Sequence, residues 1–332
     1  MAHLWSRYGR QFILLIILIV ELIVLGQMSP YVLDPQNLLD LSTHLAEAGI
    51  IALGMTFIIM TGGIDLSVGS LLALSGIVFG YLYKDHGLGV AIAGGLAMGL
   101  AGGSLNGLLV AVGRLPALVV TLGTMALFRG VAMVISQGQP VSGFPPSFTF
   151  LGRGEIAGLP TQLVIWVSLT VIAMIIADRT TAGRRVIAIG DNPTAARYSA
   201  LPERTTTWAL YAATGVLAAL AALVLSARVS TAKADAGMGL ELEVITAVVL
   251  GGTAITGGRG TVLGTFLGVL ILGLLRNGLS FAEVPTIYQT MIAGTILIVV
   301  SIINQRMLER GTRAPRRVAA DEPAGAEESP AG

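Results

Sequence analysis

Long apolar runs, separated by short polar breaks, dominate the chain. A helix that crosses a bilayer needs about 20 apolar residues, with about 17 as a lower limit. Ten runs of roughly this length are present, at 12–28, 41–61, 66–82, 88–112, 115–136, 161–178, 206–226, 240–255, 260–279 and 286–304. The pattern therefore predicts an all-α, polytopic membrane helix bundle with about ten transmembrane helices.

The composition excludes an ordinary soluble domain. Hydrophobic residues make up 54% of the chain and charged residues 12%, and the mean hydropathy is +0.81. Soluble domains carry roughly 25% charged residues. The first run is not followed by a small-residue cleavage pattern, so we interpret it as a retained span and not as a signal peptide.

The distribution of lysine and arginine predicts the orientation, because cytoplasmic loops retain positive charge. With ten spans and the N-terminus inside, fourteen basic residues are cytoplasmic, five are external, and Arg129 lies within a span. The two richest clusters, 179–204 and 306–317, then share one side. We predict a multi-pass transmembrane domain over 1–305 with both termini cytoplasmic. A disordered cytoplasmic tail over 306–332 follows, since Pro, Ala and Glu there offer little to bury.

Several kinds of chemistry have no support in the residues. There are no cysteines, which excludes disulfides, thiolate metal sites and a cysteine nucleophile. His3, His44 and His86 are scattered, so no metal site and no catalytic cluster are predicted. No G-x-x-x-x-G-K-[ST] motif occurs, so no loop is predicted to cradle nucleotide phosphates. We do not expect an enzyme.

The segment MTGGIDLSVGS, residues 60–70, places Asp65 between two apolar runs. A charge at mid-bilayer costs about 3 kcal/mol on insertion scales. Asp65 avoids much of this cost if it caps the next helix by accepting from N–H groups around Ser67 and Val68. Alternatively, the break lies near a translocation path, where Asp65, Ser67 and Ser70 meet a polyhydroxylated solute.

Glycines recur every four residues in two runs, and each set predicts a ridge against which a neighbouring helix packs closely. The two sets are Gly95, Gly99, Gly103 and Gly107, then Gly260, Gly264 and Gly268. In addition, TGGIDLSVGSLLAL (61–74) is echoed by TGGRGTVLGTFLGVL (256–270). Five spans before and five after would suit a 5+5 internal repeat, a common plan among transporters.

The longest polar segment on the predicted cytoplasmic side is TTAGRRVIAIGDNPTAARYSALPERTT, residues 180–206. Asn192 before Pro193 predicts a helix start, and we expect a short helix over 193–201. Its small residues Ala195 and Ala196 would let it dock into a groove on another protein.

Four segments together resemble one family. GRRVIAIGDNPTAARYS resembles the cytoplasmic coupling segment of permease subunits in ribose-type ABC sugar importers. Similar stretches are MTFIIMTGGIDLSVGSLLALSG (55–76), LPALVVTLGTMALFRG (115–130) and AVVLGGTAITGGRGTVLGTFLGVLILGLLRNGL (247–279). The similarity extends over about residues 10–305. Three further segments look most like permeases for rhamnose and autoinducer 2: 37–53, 142–150 and 230–252.

This resemblance implies an ATP-driven importer in the bacterial plasma (inner) membrane. Its expected partners are cytosolic ATP-binding subunits, a periplasmic or lipid-anchored sugar-binding protein, and a second permease chain in a homo- or heterodimer. The permease itself would bind no cofactor, because the partner subunit uses the ATP. The expected cargo is a monosaccharide or related polyol of the rhamnose, ribose or autoinducer-2 class.

Two sets of candidate site residues follow from the motifs and the resemblance. The ATPase-coupling set lies in the loop at about 180–205 and comprises Gly183, Arg184, Arg185, Gly190, Asn192, Pro193, Ala195 and Arg197. The translocation-path set comprises Asp65, Ser67, Asn106, Thr121, Thr124 and Asn277. Two alternatives remain. An ion-coupled secondary carrier for a small polar solute would need a deep acid, for which Glu47 is the best candidate. An intramembrane enzyme would need a catalytic cluster that the sequence does not offer.

Overall fold

The computed structural model describes residues 2–312 of the 332-residue chain. Within this part, helices form nearly the whole architecture. The α-helices are α1 (Ala2–Met28), α2 (Pro35–Met60), α3 (Val68–Gly107), α4 (Ala117–Ser136), α5 (Pro146–Arg153), α6 (Thr161–Arg179), α7 (Thr181–Asp191), α8 (Pro193–Tyr198), α9 (Glu203–Val229), α10 (Leu240–Leu250), α11 (Val262–Phe281) and α12 (Thr286–Thr312). A 3₁₀ turn at Pro30–Leu33 precedes α2, and a π-helical turn at Leu108–Val112 extends α3.

Four two-residue strands form two antiparallel pairs. Strands β1 (Val141–Ser142) and β4 (Thr231–Ala232) form one pair, and β2 (Glu155–Ile156) and β3 (Leu159–Pro160) form the other. Both pairs lie at one end of the bundle, which we call the strand end. Helices α7 and α8 lie at the opposite end, which we call the α7 end.

Seven helices in the described part of the chain are long and apolar enough to cross a membrane, which confirms a polytopic helical membrane protein. Helix α12 provides a shorter apolar stretch, Thr286–Ile302. This helix runs on to Thr312, past the predicted start of the tail at 306, and residues 313–332 lie outside the described chain. The number of spans, ten, stays a prediction.

One of these seven helices, α3, is a hairpin. Gly87 has a left-handed φ of 80° that interrupts the helix. The arms on either side pack together, since a Cβ at Gly95 would contact Phe79 and one at Gly102 would meet Leu71. Glycine adopts this φ without steric cost. The predicted runs 66–82 and 88–112 are therefore two antiparallel arms joined at Gly87.

Helix α2 lies in the centre of the core. All residues from Leu45 to Met60 are buried. The Trp166 indole of α6 packs against α2 at Gly49, where a Cβ would overlap the ring. The ring also lies 4.7 Å from that of Phe266 on α11. Such close packing leaves α2 little room to move independently of its neighbours.

The glycine ridge on α3 brings that helix against α9. Cβ atoms at Gly99, Gly103 and Gly107 would all overlap backbone atoms of α9. Gly264 and Gly268 pack in the same way on α10, which confirms close approach at both ridges. Gly260 is an exception, because it precedes the start of α11 and lies in the preceding loop.

The region predicted as a span at 240–255 is built differently. Helix α10 has 11 residues, too few to cross a bilayer alone. The preceding segment, residues 231–239, consists of the two-residue strand β4 followed by turns over 234–239. It runs beside the first arm of α3, with Ala232 near Gly76 and Gly237 against Gly69. Helix α10 ends at Leu250, and its C-cap Gly251 packs on Gly264 at the start of α11. The region is thus a non-helical segment followed by a short helix.

Candidate functional site

The break at 61–67 contains a buried polar turn at Asp65 and Ser67. Asp65 Oδ1 accepts from the Ser67 N–H at 2.9 Å and from the Ser67 hydroxyl at 2.7 Å. The Asn106 amide of α3 donates to Ser67 Oγ at 2.7 Å. The predicted bond from Ser67 N–H is confirmed, but the helix begins at Val68 with Ser67 as its N-cap, so Asp65 lies two residues earlier.

Two further candidates for the translocation path surround this turn. Thr121 donates to the Ile64 carbonyl at 3.2 Å, and the Thr124 hydroxyl bonds within α4. Asp65, Ser67, Asn106, Thr121 and Thr124 are all buried, at 5% exposure or less. None of them lines a cavity found in the described chain. Their contacts support a structural role, and a direct role in the path stays a prediction.

Asn277, the sixth candidate for the path, lies elsewhere. It exchanges amide hydrogen bonds with Asn37 of α2, at 3.1 and 3.2 Å. Both side chains line a cavity of about 540 Å³ that opens at the strand end. The sequence-predicted path residues are thus divided between two places: five are buried at or beside the turn after α2, and Asn277 lines the strand-end cavity.

The predicted coupling loop contains two helices. Asn192 Oδ1 accepts from the Ala195 N–H at 2.9 Å with Pro193 at the first position of α8, which confirms the predicted cap. Helix α8 ends at Tyr198, three residues before the predicted end. Ala200 has a left-handed φ of 55°, and the Leu201 N–H returns to the Ala196 carbonyl, as is typical of a helix C-terminus.

Sequence reasoning missed helix α7. Its signal is an amphipathic pattern over Thr181–Asp191, in which Gly183, Val186, Ile189 and Gly190 are buried and the remaining residues are exposed. Thr180 caps the helix by accepting from the Gly183 N–H. The spacing of the four buried residues is that of one helix face.

The buried face of α7 meets both echoed glycine segments. A Cβ at Gly190 would overlap the Met60 carbonyl oxygen and the Gly258 nitrogen. The Gly258 N–H donates to that same carbonyl at 2.8 Å, and Gly257 lies against Gly62. The C-terminus of α2, the C-terminus of α7 and the loop 256–258 therefore form one backbone junction, which we call the glycine junction.

The exposed face of α7 and α8 holds the remaining coupling candidates. Arg184, Arg185, Asn192, Pro193, Ala195 and Arg197 are all exposed. Arg197 forms an ion pair with Glu203 at 3.1 Å, which ties α8 to the start of α9. Tyr198 is 89% exposed, and Ile187 is 39% exposed. These two apolar side chains were absent from the predicted set, although an exposed aromatic residue often marks a binding surface.

Two cavities lie at opposite ends of the bundle. The strand-end cavity described above is the larger. The second, of about 410 Å³, lies at the α7 end between the break at Gly62, the start of α9 and α8 at Pro193. Helix α2 connects them, because its first half lines one cavity and the turn after its end lines the other. This arrangement suits a chain with access to both sides of a membrane.

Glu47, the acid that a carrier would need, lies in the strand-end cavity. It pairs with Arg228 of α9 at 2.8 Å. Arg129, which the sequence placed within a span, donates from Nη1 to the Ala234 and Ala236 carbonyls at 2.6 and 2.7 Å. It therefore holds the non-helical segment 231–239 against α4.

The comparisons with known proteins agree with this architecture. The profile of a family described as a branched-chain amino acid transport system permease component matches residues 37–301. The Bacillus subtilis (strain 168) ribose import permease protein RbsC is 39% identical over 292 residues, 87% of this chain and 91% of that protein.

The autoinducer 2 import system permease protein LsrD provides a second relative. The Escherichia coli (strain K12) protein is 37% identical over 311 residues, 92% of this chain and 94% of its own. The Shigella flexneri protein of the same name matches equally well. No solved structure matches the chain.

Proposed function

This chain belongs to the family of permease components described for branched-chain amino acid transport systems, and on that premise we propose that it is the transmembrane permease subunit of an ABC importer. Its cargo is a monosaccharide or related small polyol of the ribose, autoinducer-2 or rhamnose class. The ribose and autoinducer 2 permeases, which align over nearly their whole length, support this class. Rhamnose rests on the resemblance of segments 37–53, 142–150 and 230–252.

The main support for the proposal is that the α7–α8 segment has one buried face and one exposed face. One face is fixed to the glycine junction, while Arg184, Arg185, Ala195 and Tyr198 form an exposed surface. A cytosolic ATP-binding subunit that docks on this surface would push on α7, and the junction would pass the displacement to α2. The α7 end then faces the cytoplasm, with both termini on that side of the bacterial plasma membrane. The sugar-binding protein delivers the solute at the strand end.

A second permease chain is part of the proposal. Lys233 and Asp235 are exposed, and Lys233 lines a cavity together with Leu72, Ala73 and Gly76 in the first arm of α3. Charged side chains and non-helical backbone at membrane depth are tolerated only inside protein or beside water. A second permease across an aqueous path would provide that environment, either as a copy of this chain or as a related one.

Uptake tests the proposal directly. Cells with and without this chain, and with the ATP-binding subunit active or inactivated, are given labelled ribose, rhamnose and autoinducer 2. We expect uptake of one solute to require both proteins. Uptake that needs this chain but not the ATPase would identify an ion-coupled carrier and overturn the proposal.

The docking surface has its own test. Ala195→Trp places a large side chain on exposed α8, where it would block a partner without disturbing the bundle. We expect uptake to be abolished while the amount of membrane-inserted protein is unchanged. Ala195→Ser is the matched control and should retain uptake. Normal uptake by a properly inserted Trp variant would show that α8 is not the docking surface.

A further inference from the structure

The strand-end cavity penetrates deep into the bundle. Asn37 and Ala48 of α2 both line it. They are 11 residues apart, which corresponds to roughly 16 Å along a helix, about half of the ~30 Å hydrocarbon core. Its lining includes Gly237 and Leu240, where the turns of the non-helical segment give way to α10. The cavity therefore reaches the middle of the membrane from the side opposite the glycine junction.

Three polar pairs line this cavity, and each joins two helices. Glu47 of α2 pairs with Nε of Arg228 on α9. Nη1 of the same arginine lies 3.0 Å from His44 Nδ1. Glu243 of α10 pairs with Arg276 of α11. The third pair is the reciprocal amide pair of Asn37 and Asn277 described above.

The need for stability does not explain these groups. A buried ion pair is often no more stabilising than apolar residues of the same volume. Ionisable residues at membrane depth usually face a cavity and mark the route of a solute. Both ion pairs border the same cavity and are partly accessible, with exposed side-chain fractions of 20% at Arg228 and 34% at Arg276.

The chemistry of the pairs determines whether a charged or a neutral solute fits the cavity. The deep carboxylates of Glu47 and Glu243 are each neutralised by an arginine, so a charged solute would have to break one of these pairs to be compensated there. Asp40, the third lining carboxylate, is exposed and accepts a hydrogen bond from the Gln36 amide. A hydroxyl group, by contrast, both donates and accepts. It can bond to a carboxylate and to a guanidinium or amide without separating them.

We propose that the strand-end cavity is a binding site for a neutral polyhydroxylated solute, held between the Glu47–Arg228 and Glu243–Arg276 pairs with Asn277 at its entrance. This inference rests on the proposed function, because it identifies where the importer holds its cargo. Its volume of about 540 Å³ falls in the range of small-molecule sites, roughly 300–1,000 Å³.

Because the chain has no cysteine, a single introduced thiol reports on one position. Ser280 is exposed and lines the cavity, while Ser142 is exposed at the strand end and does not line it. Ser280→Cys and, as matched control, Ser142→Cys are each labelled with a membrane-impermeant maleimide in the purified importer complex. The labelling rate is measured with D-ribose, L-rhamnose, glucosamine or gluconate present.

We expect a neutral sugar to slow the labelling of Ser280→Cys at least five-fold, with no effect on Ser142→Cys. Glucosamine and gluconate, which carry a charge at similar size, should not protect. Absence of protection by either neutral sugar, or equal protection by the charged compounds, would overturn the proposal.

A second pair of variants, in the Ser280→Cys background, separates binding from structure. Asn277→Leu removes the amide at similar size, and we expect the sugar concentration for half-protection to rise at least five-fold. Asn277→Gln keeps an amide and should stay within two-fold. Equal behaviour of the Leu and Gln variants would refute a binding role for Asn277.

These results are independent of the test of the importer itself. Uptake that requires the ATPase, without protection of Ser280→Cys, would support the importer and refute this binding site. Protection together with ATPase-independent uptake would support the binding site and refute the importer.

Discussion

Gly190 offers the sharpest test of how motion at the α7 end reaches the bundle. Substitution by alanine adds one methyl group at a point where the Met60 carbonyl and the Gly258 nitrogen leave no space. Both atoms belong to the backbone, so no side chain can rotate away to relieve the overlap. The junction has to open.

The cost follows from the contacts. Overpacking of this kind costs about 1–3 kcal/mol. Opening the junction also breaks the Gly258–Met60 hydrogen bond of 2.8 Å, which contributes about 1 kcal/mol. The total of about 2–4 kcal/mol disfavours the position of α7 against the glycine junction by roughly 30- to 700-fold, since 1.4 kcal/mol corresponds to a factor of ten.

The assay compares labelled-sugar uptake with ATP hydrolysis in the same membranes. We expect Gly190→Ala to insert normally, to lose at least nine-tenths of its uptake, and to leave ATP hydrolysis uncoupled from the solute. Gly89→Ala is the matched control, because nothing lies within 4 Å of a Cβ at Gly89. Wild-type uptake by Gly190→Ala would refute the idea that α7 acts through a rigid junction.

Three other substitutions test the packing. Arg228→Met leaves buried Glu47 unpaired, which costs about 3–5 kcal/mol. We expect thermal unfolding of the solubilised protein at a lower temperature, restored by adding Glu47→Gln; no rescue would disprove the pairing as the cause. Gly49→Ala drives a methyl group into the Trp166 ring, costing about 1–3 kcal/mol. Trp166→Phe in the same chain should recover part of the melting temperature, and a further decrease would contradict the overlap. Arg129→Met removes two charged hydrogen bonds to carbonyls, each contributing about 1.5–3 kcal/mol. Limited proteolysis should then cut the non-helical segment 231–239 before α10 faster than in wild type; an unchanged rate would show that Arg129 does not hold it.

The sequence predicts most of the fold because hydropathy records which segments the bilayer can accept. It identifies α2, both arms of α3, α4, α6, α9 and α11 at nearly their observed bounds. It does not reveal how residues 231–239 are placed, because TAKADAGMG reads as a polar loop. Only tertiary contacts place that segment beside α3, so no local pattern could reveal its position.

The same distinction applies to the candidate site: its local contacts could be predicted from the sequence, and its long-range contacts could not. Local signals such as Asn192 before Pro193 predict their hydrogen bonds correctly, since both partners lie within one helical turn. The pairs that line the strand-end cavity do not arise locally. Glu47 and Arg228 are 181 residues apart, and the sequence singled out only Glu47, as the acid of the carrier alternative. Their pairing follows from how α2 packs on α9.

The non-helical segment 231–239 also constrains how the protein folds. A long apolar helix satisfies its own backbone and can enter the bilayer as an independent unit. This segment cannot, because Thr231 and Ala232 pair with Ser142 and Val141, and the Ala234 and Ala236 carbonyls bond to Arg129. Those partners lie in β1 and α4, far earlier in the chain. We therefore expect the segment to reach its final position only after β1 and α4 are in place.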